Sequence, residues 1–409
     1  MAKSPFFSIV IPAWNRGREL FHTLRTCLDQ DFEADNFEII VSDNCSTDNI
    51  PAVIDSLSTD RVRYVRTDLH LPMTDSWNFA LAHARGKYVG ILATDDGYCL
   101  DLLSESYRIL QQEITPVLTF QSTQYHWPSS PHVQMRDQMI VTNYAFSDGP
   151  ARADGLIDEA FSSLDYARLP TGMNSFCKRD FLQEVIARYG SVFSSFFPDV
   201  YAAIFLGSQV PQIYTMNQPM FVAGFSSDSN GASMVTDTES SRKFYRAKDE
   251  ELFPGIIHSD PPLLTTGILD AMLKARKTRG DADPFSRVNV EQYVKFCYRD
   301  ADAFPDYVAK DQINAAIDEY VENCHPEICR QIKRYRSKQR SRNTLLRSGW
   351  RNLKLWSTPV RHALYRKHRP GRRPTGDQVI HCRALNIENV YDAAVYTTGM
   401  RSSQRKKAA

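Results

Sequence analysis

The sequence of 409 residues predicts an α/β domain on a mostly parallel sheet flanked by helices, and three observations predict it. Over the first 110 residues, short β-branched apolar runs alternate with helically spaced segments, the pattern of a parallel sheet wrapped by right-handed crossovers. Three of those runs end in Trp14, Asp43 and the pair Asp95-Asp96, which alternation places along one carboxyl edge, where open α/β sheets bind ligands. No Gly-x-Gly-x-x-Gly follows the first run and no Gly-x4-Gly-Lys-Ser/Thr occurs anywhere, which argues against dinucleotide and P-loop NTPase folds.

The elements follow in order. Phe7 to Ile11, closed by Pro12, is read as the first core strand, followed by the loop Ala13-Trp14-Asn15-Arg16. It superficially matches a secretory leader, but Pro12 breaks it and no small-residue cleavage site follows, so a strand is expected. Leu20, Leu24 and Leu28 recur at helical spacing. Phe37 to Val41 is a second buried strand, Ile50 to Leu57 a helix with Asp48 as its expected cap, and Val62 to Val65 a third strand. A helix from Asp75 to Arg85, stopped by Gly86, feeds Tyr88 to Thr94, an uncharged run that reads as a strand buried on both faces. It delivers Asp95 and Asp96 to the sheet edge before the turn residue Gly97.

Two adjacent carboxylates at such a point are costly unless a cation, a hydroxyl or solvent accepts their charge. They suit a divalent metal holding a diphosphate, or else a solvated Asp-Asp-Gly turn. Trp14 suits stacking on a base, or else it is a core or hinge aromatic. Asp43 suits accepting a base N3-H, or else it caps the following turn. Taken jointly at successive strand ends, a nucleoside diphosphate site is the more economical account.

The segments Ser8-Ile-Val-Ile-Pro-Ala-Trp-Asn-Arg16, Phe37-Glu-Ile-Ile-Val-Ser-Asp-Asn-Cys-Ser-Thr-Asp48 and Gly86-Lys-Tyr-Val-x-Ile-Leu-x-Thr-Asp-Asp-Gly97 together resemble the family 2 glycosyltransferases of the GT-A fold. The resemblance implies inverting sugar transfer from a nucleotide-activated donor, usually with Mn or Mg. It implies that Pro12, Trp14, Asn15, Arg16 and Asp43 form the nucleotide-sugar end with Asp95, and that Asp95 and Asp96 stand at the DXD-type metal motif. Two departures are visible: Trp14 stands where Tyr or Phe is usual, and Ala93 stands where many members carry a further acid.

Further on, Leu102 to Gln111 reads as a helix and Val117 to Gln124 as a strand, whereas Val133 to Asp165 shows little periodicity. Gly172, Asn174 and Ser175 precede a helix over Phe181 to Tyr189 and are candidate acceptor-binding residues, which the resemblance favours. Pro198 and Asp199 open an apolar helix, so Asp199 is either a first-turn acid or, as the resemblance implies, the catalytic base of a single displacement. Pro219 to Val222 reads as a last strand. Ala223 to Ser233 is a flexible stretch that serves as a lid or as a plain linker.

Charge is divided along the chain. Up to Pro326 there are 28 Lys plus Arg against 44 Asp plus Glu; from Glu327 onward there are 21 against 4. Ile328 to Gly376 contains no acid, and Trp350 and Trp356 lie among its arginines, the composition of a basic amphipathic helix on an anionic membrane surface. A nucleic-acid patch and a solvated tail are the other readings; no nucleic-acid module is recognisable, so no nucleic-acid partner is expected. Eight scattered cysteines without a Cys-x-x-Cys pair imply a reducing compartment, and no run approaches a membrane span.

The expected organisation is a GT-A-like, Rossmann-type domain over 1–225 (1–110 for the nucleotide sugar, 111–225 for the acceptor), a helical support region over 226–326, and a basic extension over 327–409. The expected function is inverting, metal-dependent transfer, with Mn2+ or Mg2+, from a UDP-sugar to a hydroxyl of a polysaccharide or glycolipid in cell-surface glycan assembly. The setting is cytoplasmic, peripheral on the inner face of the membrane. The alternative is a non-catalytic GT-A scaffold that tethers partners through its tail.

Overall fold

The computed structural model describes residues 4–132, 135–142, 146–227, 229, 242, 251–304, 310–349 and 377–408, with the backbone alone over 340–349 and 404–408. β1 (Phe7–Ala13), nearly all buried, pairs in parallel with β2 (Phe37–Asp43) and with β4 (Tyr88–Ile91), and β3 (Val62–Arg66) adds beyond β2. The crossovers are α1 (Gly17–Leu28), α2 (Ile50–Ser56) and α3 (Met73–Ala82). α1 buries Leu20, Leu24 and Cys27 completely, one stripe at helical spacing. Each leucine contributes up to about 1.5–3 kcal/mol by leaving water.

β1 runs two residues beyond the predicted end, through Pro12. Val10 O accepts from Leu92 N on the β4 side (2.9 Å) and Ala13 O accepts from Asn44 N on the β2 side (2.8 Å). Alternation turns Pro12 toward the β4 side, where pairing stops at Val10 with Ile91, so its missing N–H forfeits no ladder bond. The cap of α2 differs from expectation too: Asn49 accepts from Ala52 N, while Asp48 Oδ2 accepts from Gly17 N at the start of α1 (2.8 Å).

Beyond β4 the sheet becomes mixed. β6 (Val117–His126) and β9 (Ser175–Lys178) pair antiparallel, β9 also pairs with β4, and β7 (Gln138–Val141) lies on β6. β10 (Gln212–Phe225) runs parallel to β6 and carries the short β5 (Gly97–Tyr98) and β8 (Gly149–Arg152) antiparallel. The main path of the sheet is β11-β7-β6-β9-β4-β1-β2-β3, with β11 (Gln378–His381) outermost. The stretch expected to lack periodicity contains β7, β8 and a helix, α5 (Ala153–Ser163). Its buried Ala153, Leu156, Ile157, Ala160 and Phe161 are helically spaced, a signal present in the sequence.

Of the remaining helices, α4 (Leu102–Leu110), α6 (Arg179–Tyr189) and α7 (Pro198–Gly207) belong to the sheet domain. α8 (Leu264–Arg279) packs on α7, followed by α9 (Val290–Ala303), α10 (Lys310–Glu322) and α11 (Pro326–Gly349). Val10, Ile40, Val89 and Ile91 of the sheet share one apolar cluster with Leu269 and Met272 of α8 and Tyr293 and Val294 of α9. The support region is therefore continuous with the sheet's core. Asp300 of α9 reaches across to accept from Thr265 N at the start of α8 (2.7 Å), and burial pushes its carboxyl up to about 6.

The basic extension does not behave as one unit. α11 packs against α9 and α10, whereas β11 and α12 (Val390–Ala408) return to the first domain. Val390, Ala393 and Cys382 pack with Cys99, Trp127 and Val222. Arg401, 3% exposed, pairs with Asp101 and donates to Pro219 O. Trp350 and Trp356 lie outside the described residues. Among the described residues no helix is long and apolar enough to cross a membrane.

Candidate active site

At the carboxyl edge the loops after β1, β2 and β4 meet. Asn15 adopts a left-handed conformation (φ 52°) and its Oδ1 accepts from Thr47 N (2.7 Å) and Asp48 N (3.3 Å). Its own N–H donates to Ser46 Oγ (3.0 Å). Asn15 thus stitches the first loop to the second and leaves Trp14 and Arg16 on either side. Trp14 is 51% exposed, which removes the core reading, and its ring lies 4.5 Å from that of His70.

Asp43 is fully buried. Its Oδ1 accepts from Ser46 N (2.8 Å); its Oδ2 accepts from Tyr64 Oη (2.6 Å) and pairs with Arg66. Burial opposes its charge, but the Ser46 and Tyr64 hydrogen bonds and the Arg66 guanidinium together hold its carboxyl below the usual range. Oδ1 caps the following loop and Oδ2 is held by Tyr64 and Arg66 of β3, so the geometry favours a capping and bracing role over direct contact with a base.

Asp95 and Asp96 are 3% and 5% exposed, so a solvated turn is excluded. They are held from several elements. Thr23 Oγ1 of α1 lies 2.7 Å from the carbonyl oxygens of both Thr94 and Asp96, and Trp127 Nε1 donates to Asp95 O (3.1 Å). From the end of β10, Gly224 N donates to Asp96 Oδ1 (2.7 Å) and Ser226 Oγ to Asp95 Oδ2 (2.8 Å). Arg16 Nη1 stands 3.4 Å from Asp95 Oδ1. Burial, and then the charge of Asp95, push the Asp96 carboxyl well up despite the Gly224 amide and Arg16.

Sequence reasoning missed Thr23, Trp127, Gly224 and Ser226. Only Gly224 carried a signal, as a glycine in an apolar run marking close backbone approach. A Cβ there would lie 1.8 Å from Asp95 O. Residues 223–225, expected to begin a flexible stretch, are the last residues of β10; 228 and 230–233 of that stretch lie outside the described residues.

Gly172, Asn174 and Ser175 form a closed turn. Asn174 Oδ1 accepts from Thr171 N (3.0 Å) and Thr171 Oγ1 (2.7 Å), and Ser175 Oγ accepts from Gly172 N (3.2 Å). Gly172, at φ 94°, accepts from Ile91 N through its carbonyl (3.2 Å). These hydrogen bonds hold the turn beside the end of β4. Asp199 occupies the first turn of α7, partly exposed yet densely surrounded. Burial pushes its carboxyl up, against the pull of the Val200 amide and its own. The conflict between helix terminus and burial is thus resolved toward a stronger base.

Residues 8–147 match the model of glycosyl transferase family 2. This segment is similar to the family 2 glycosyltransferases. The chain is 29% identical over 117 residues to the putative colanic acid biosynthesis glycosyl transferase WcaA of Escherichia coli K12, covering 28% of this chain and 41% of the relative. It is 27% identical over 106 residues to UDP-Glc:alpha-D-GlcNAc-diphosphoundecaprenol beta-1,3-glucosyltransferase WfaP of Escherichia coli, covering 26% and 41%. These matches span about two fifths of each of the two relatives. A crystal structure of S. aureus TarS superposes on 77% of this chain and 88% of that chain at 16% identity and a TM-score of 0.43. The matched segment contains Trp14, Arg16, Asp43, Asp95 and Asp96; Asp199 and the β10 residues lie outside it.

Proposed function

We propose that this chain is an inverting, metal-dependent glycosyltransferase that moves a sugar from a UDP-sugar to a hydroxyl of a glycan or lipid-linked acceptor in cell-surface glycan assembly. The buried acid pair at the end of β4, inside the family-matched segment, carries this reading. Its donor set is hard oxygen, and Mg2+ or Mn2+ takes one or two carboxylates and completes its shell from phosphates and water. Asp95 and Asp96 would hold the ion, which when bound neutralises charge on the departing diphosphate. The name of the relative WfaP supports a UDP donor and a lipid diphosphate acceptor.

The chain's own residues supply the remaining parts. Trp14 presents a face to the base, and Arg16 is placed to meet phosphate beside the acids. Asp199 takes the proton of the acceptor hydroxyl as its oxygen bonds to the anomeric carbon and the bond to the diphosphate breaks.

A thermal-shift panel of UDP, GDP, UDP-glucose and UDP-N-acetylglucosamine with and without Mn2+ or Mg2+ tests this. A cognate nucleotide at a hundredfold excess over its Kd stabilises by about 2.7 kcal/mol, and only with the cation. Asp95→Asn and Asp96→Asn should each remove the cation-dependent part. An unchanged Mn2+-dependent shift in both variants would sink the metal assignment, and silence across the panel would sink the function.

Membrane contact belongs to the same reading. Arg330, Lys333, Arg334 and Lys338 are all exposed along one face of α11, opposite the buried Ile332. Near an anionic surface each such charge is worth about 1 kcal/mol, so Arg330→Glu with Arg334→Glu should weaken binding to phosphatidylglycerol vesicles by at least roughly 30-fold at low salt. Co-sedimentation reads this directly. Binding to duplex DNA with no binding to vesicles would reject the membrane in favour of nucleic acid.

A further inference from the structure

The segment joining α6 to α7 is tied down from two sides. On one side Asn78 of α3 accepts from Val192 N (3.2 Å) and Phe193 N (3.1 Å) and donates to Phe193 O (2.9 Å). Phe193 meets the Trp77 ring edge-on at 5.2 Å and would touch a Cβ at Gly172. On the other side stands Asp270 of α8, fully buried. Its Oδ1 accepts from Phe253 N (2.6 Å); its Oδ2 pairs with Lys274 (3.0 Å) and accepts from Ser195 Oγ (3.4 Å). The Lys274 ammonium lies 4.8 Å from the centroid of Phe196.

Ser195 is itself fully buried and adopts the left-handed conformation at φ 64°, an uncommon one for a residue with a Cβ. Four residues later comes Asp199. The Asp270–Lys274 pair lies within α8, at i and i+4, so it does not itself join two helices. What Asp270 supplies is direction: its second carboxylate oxygen faces the Ser195 hydroxyl at 3.4 Å, a long contact, at the backbone turn entering α7.

We propose that Asp270 is a positioning residue for the proposed base: by holding Ser195 in its left-handed turn, it sets where α7 begins and where the Asp199 carboxyl points. This rests on the reading of Asp199 as base. Asp270 does not touch the reacting atoms.

The test measures release of UDP from UDP-glucose and UDP-N-acetylglucosamine with Mn2+, alongside nucleotide affinity. A misplacement on the ångström scale costs up to about 10²-fold, so Asp270→Asn and Ser195→Ala should each lower turnover about 10- to 100-fold with the affinity for UDP unchanged. Ser195→Gly should stay near wild type and should restore most of the turnover lost in Asp270→Asn, because glycine adopts this turn unaided. In an Asp199→Asn background, Asp270→Asn should add nothing.

Failure of the base reading shows as retained turnover in Asp199→Asn itself. Failure of the present proposal shows as additive losses, as equal loss of UDP affinity, or as wild-type turnover in both Asp270→Asn and Ser195→Ala. Hydrogen exchange over residues 195–201 asks the same question without turnover. Faster exchange in Ser195→Ala, absent in Ser195→Gly, supports the proposal, and unchanged exchange overturns it.

Discussion

Asp199→Asn should lower the rate of sugar transfer by about 10² to 10⁴ while leaving the affinity for the donor nucleotide unchanged, the loss typical of a missing general base. In the proposed reaction donor binding uses the nucleotide end and the acid pair, so it does not need this carboxylate. Acceptor deprotonation is required only as the glycosidic bond forms, so the loss falls on turnover. Asparagine keeps the size of the side chain and an oxygen for the first-turn amides, so a purely capping acid would show nearly wild-type activity. Because burial pushes Asp199 up, the wild-type rate should fall on the acid side above the usual carboxylate range, as the base becomes protonated. The checks are transfer rate, nucleotide affinity and the pH–rate profile; retained turnover in the Asn variant would assign Asp199 to the helix terminus.

Gly224→Ala should disrupt the acid pair from a distance in sequence of more than a hundred residues. The added methyl would lie 1.8 Å from Asp95 O and 2.9 Å from Trp127 Nε1, so either β10 or the acidic turn must move. Gly224 N also donates to Asp96 Oδ1, so the same movement releases one of the carboxylates. Overpacking of this kind costs about 1–3 kcal/mol or more in stability. Cation-dependent nucleotide binding should be lost even at temperatures where the variant is folded. Wild-type stability together with wild-type Mn2+-dependent binding in Gly224→Ala would show that β10 does not hold the site.

Local pattern was enough for the first half of the sheet because each of its strands is a short uncharged run between helically spaced segments. β1, β2 and β4 are buried on both faces, and that state has a compositional signature. The second half was harder to read. β9 and β7 have four residues each, and β8, with two of its four residues exposed, is Gly-Pro-Ala-Arg, with no apolar alternation to detect. Their strand character comes from pairing with β4, β6 and β10, partners that lie from about 15 to 90 residues away.

The site divides along the same line. The order of residues alone determined that Trp14, Asp43 and Asp95-Asp96 would meet at one sheet edge, because a parallel sheet with helical crossovers puts every strand's carboxyl end on the same side. Only the tertiary structure decided what each of them does there. Asp43 divides its oxygens between its own loop and β3, Asn15 joins two loops, Asn174 holds Thr171, and Ser175 accepts from Gly172 N. It also decided that the acids are held by Thr23, Trp127, Gly224 and Ser226, and that residues 377–408 close back on the sheet they were expected to leave. Strand and helix formation depend on spacing within a few residues, which a sequence displays. Satisfaction of a buried polar group depends on which distant donor arrives within about 3 Å, which follows only from the packing of the whole chain.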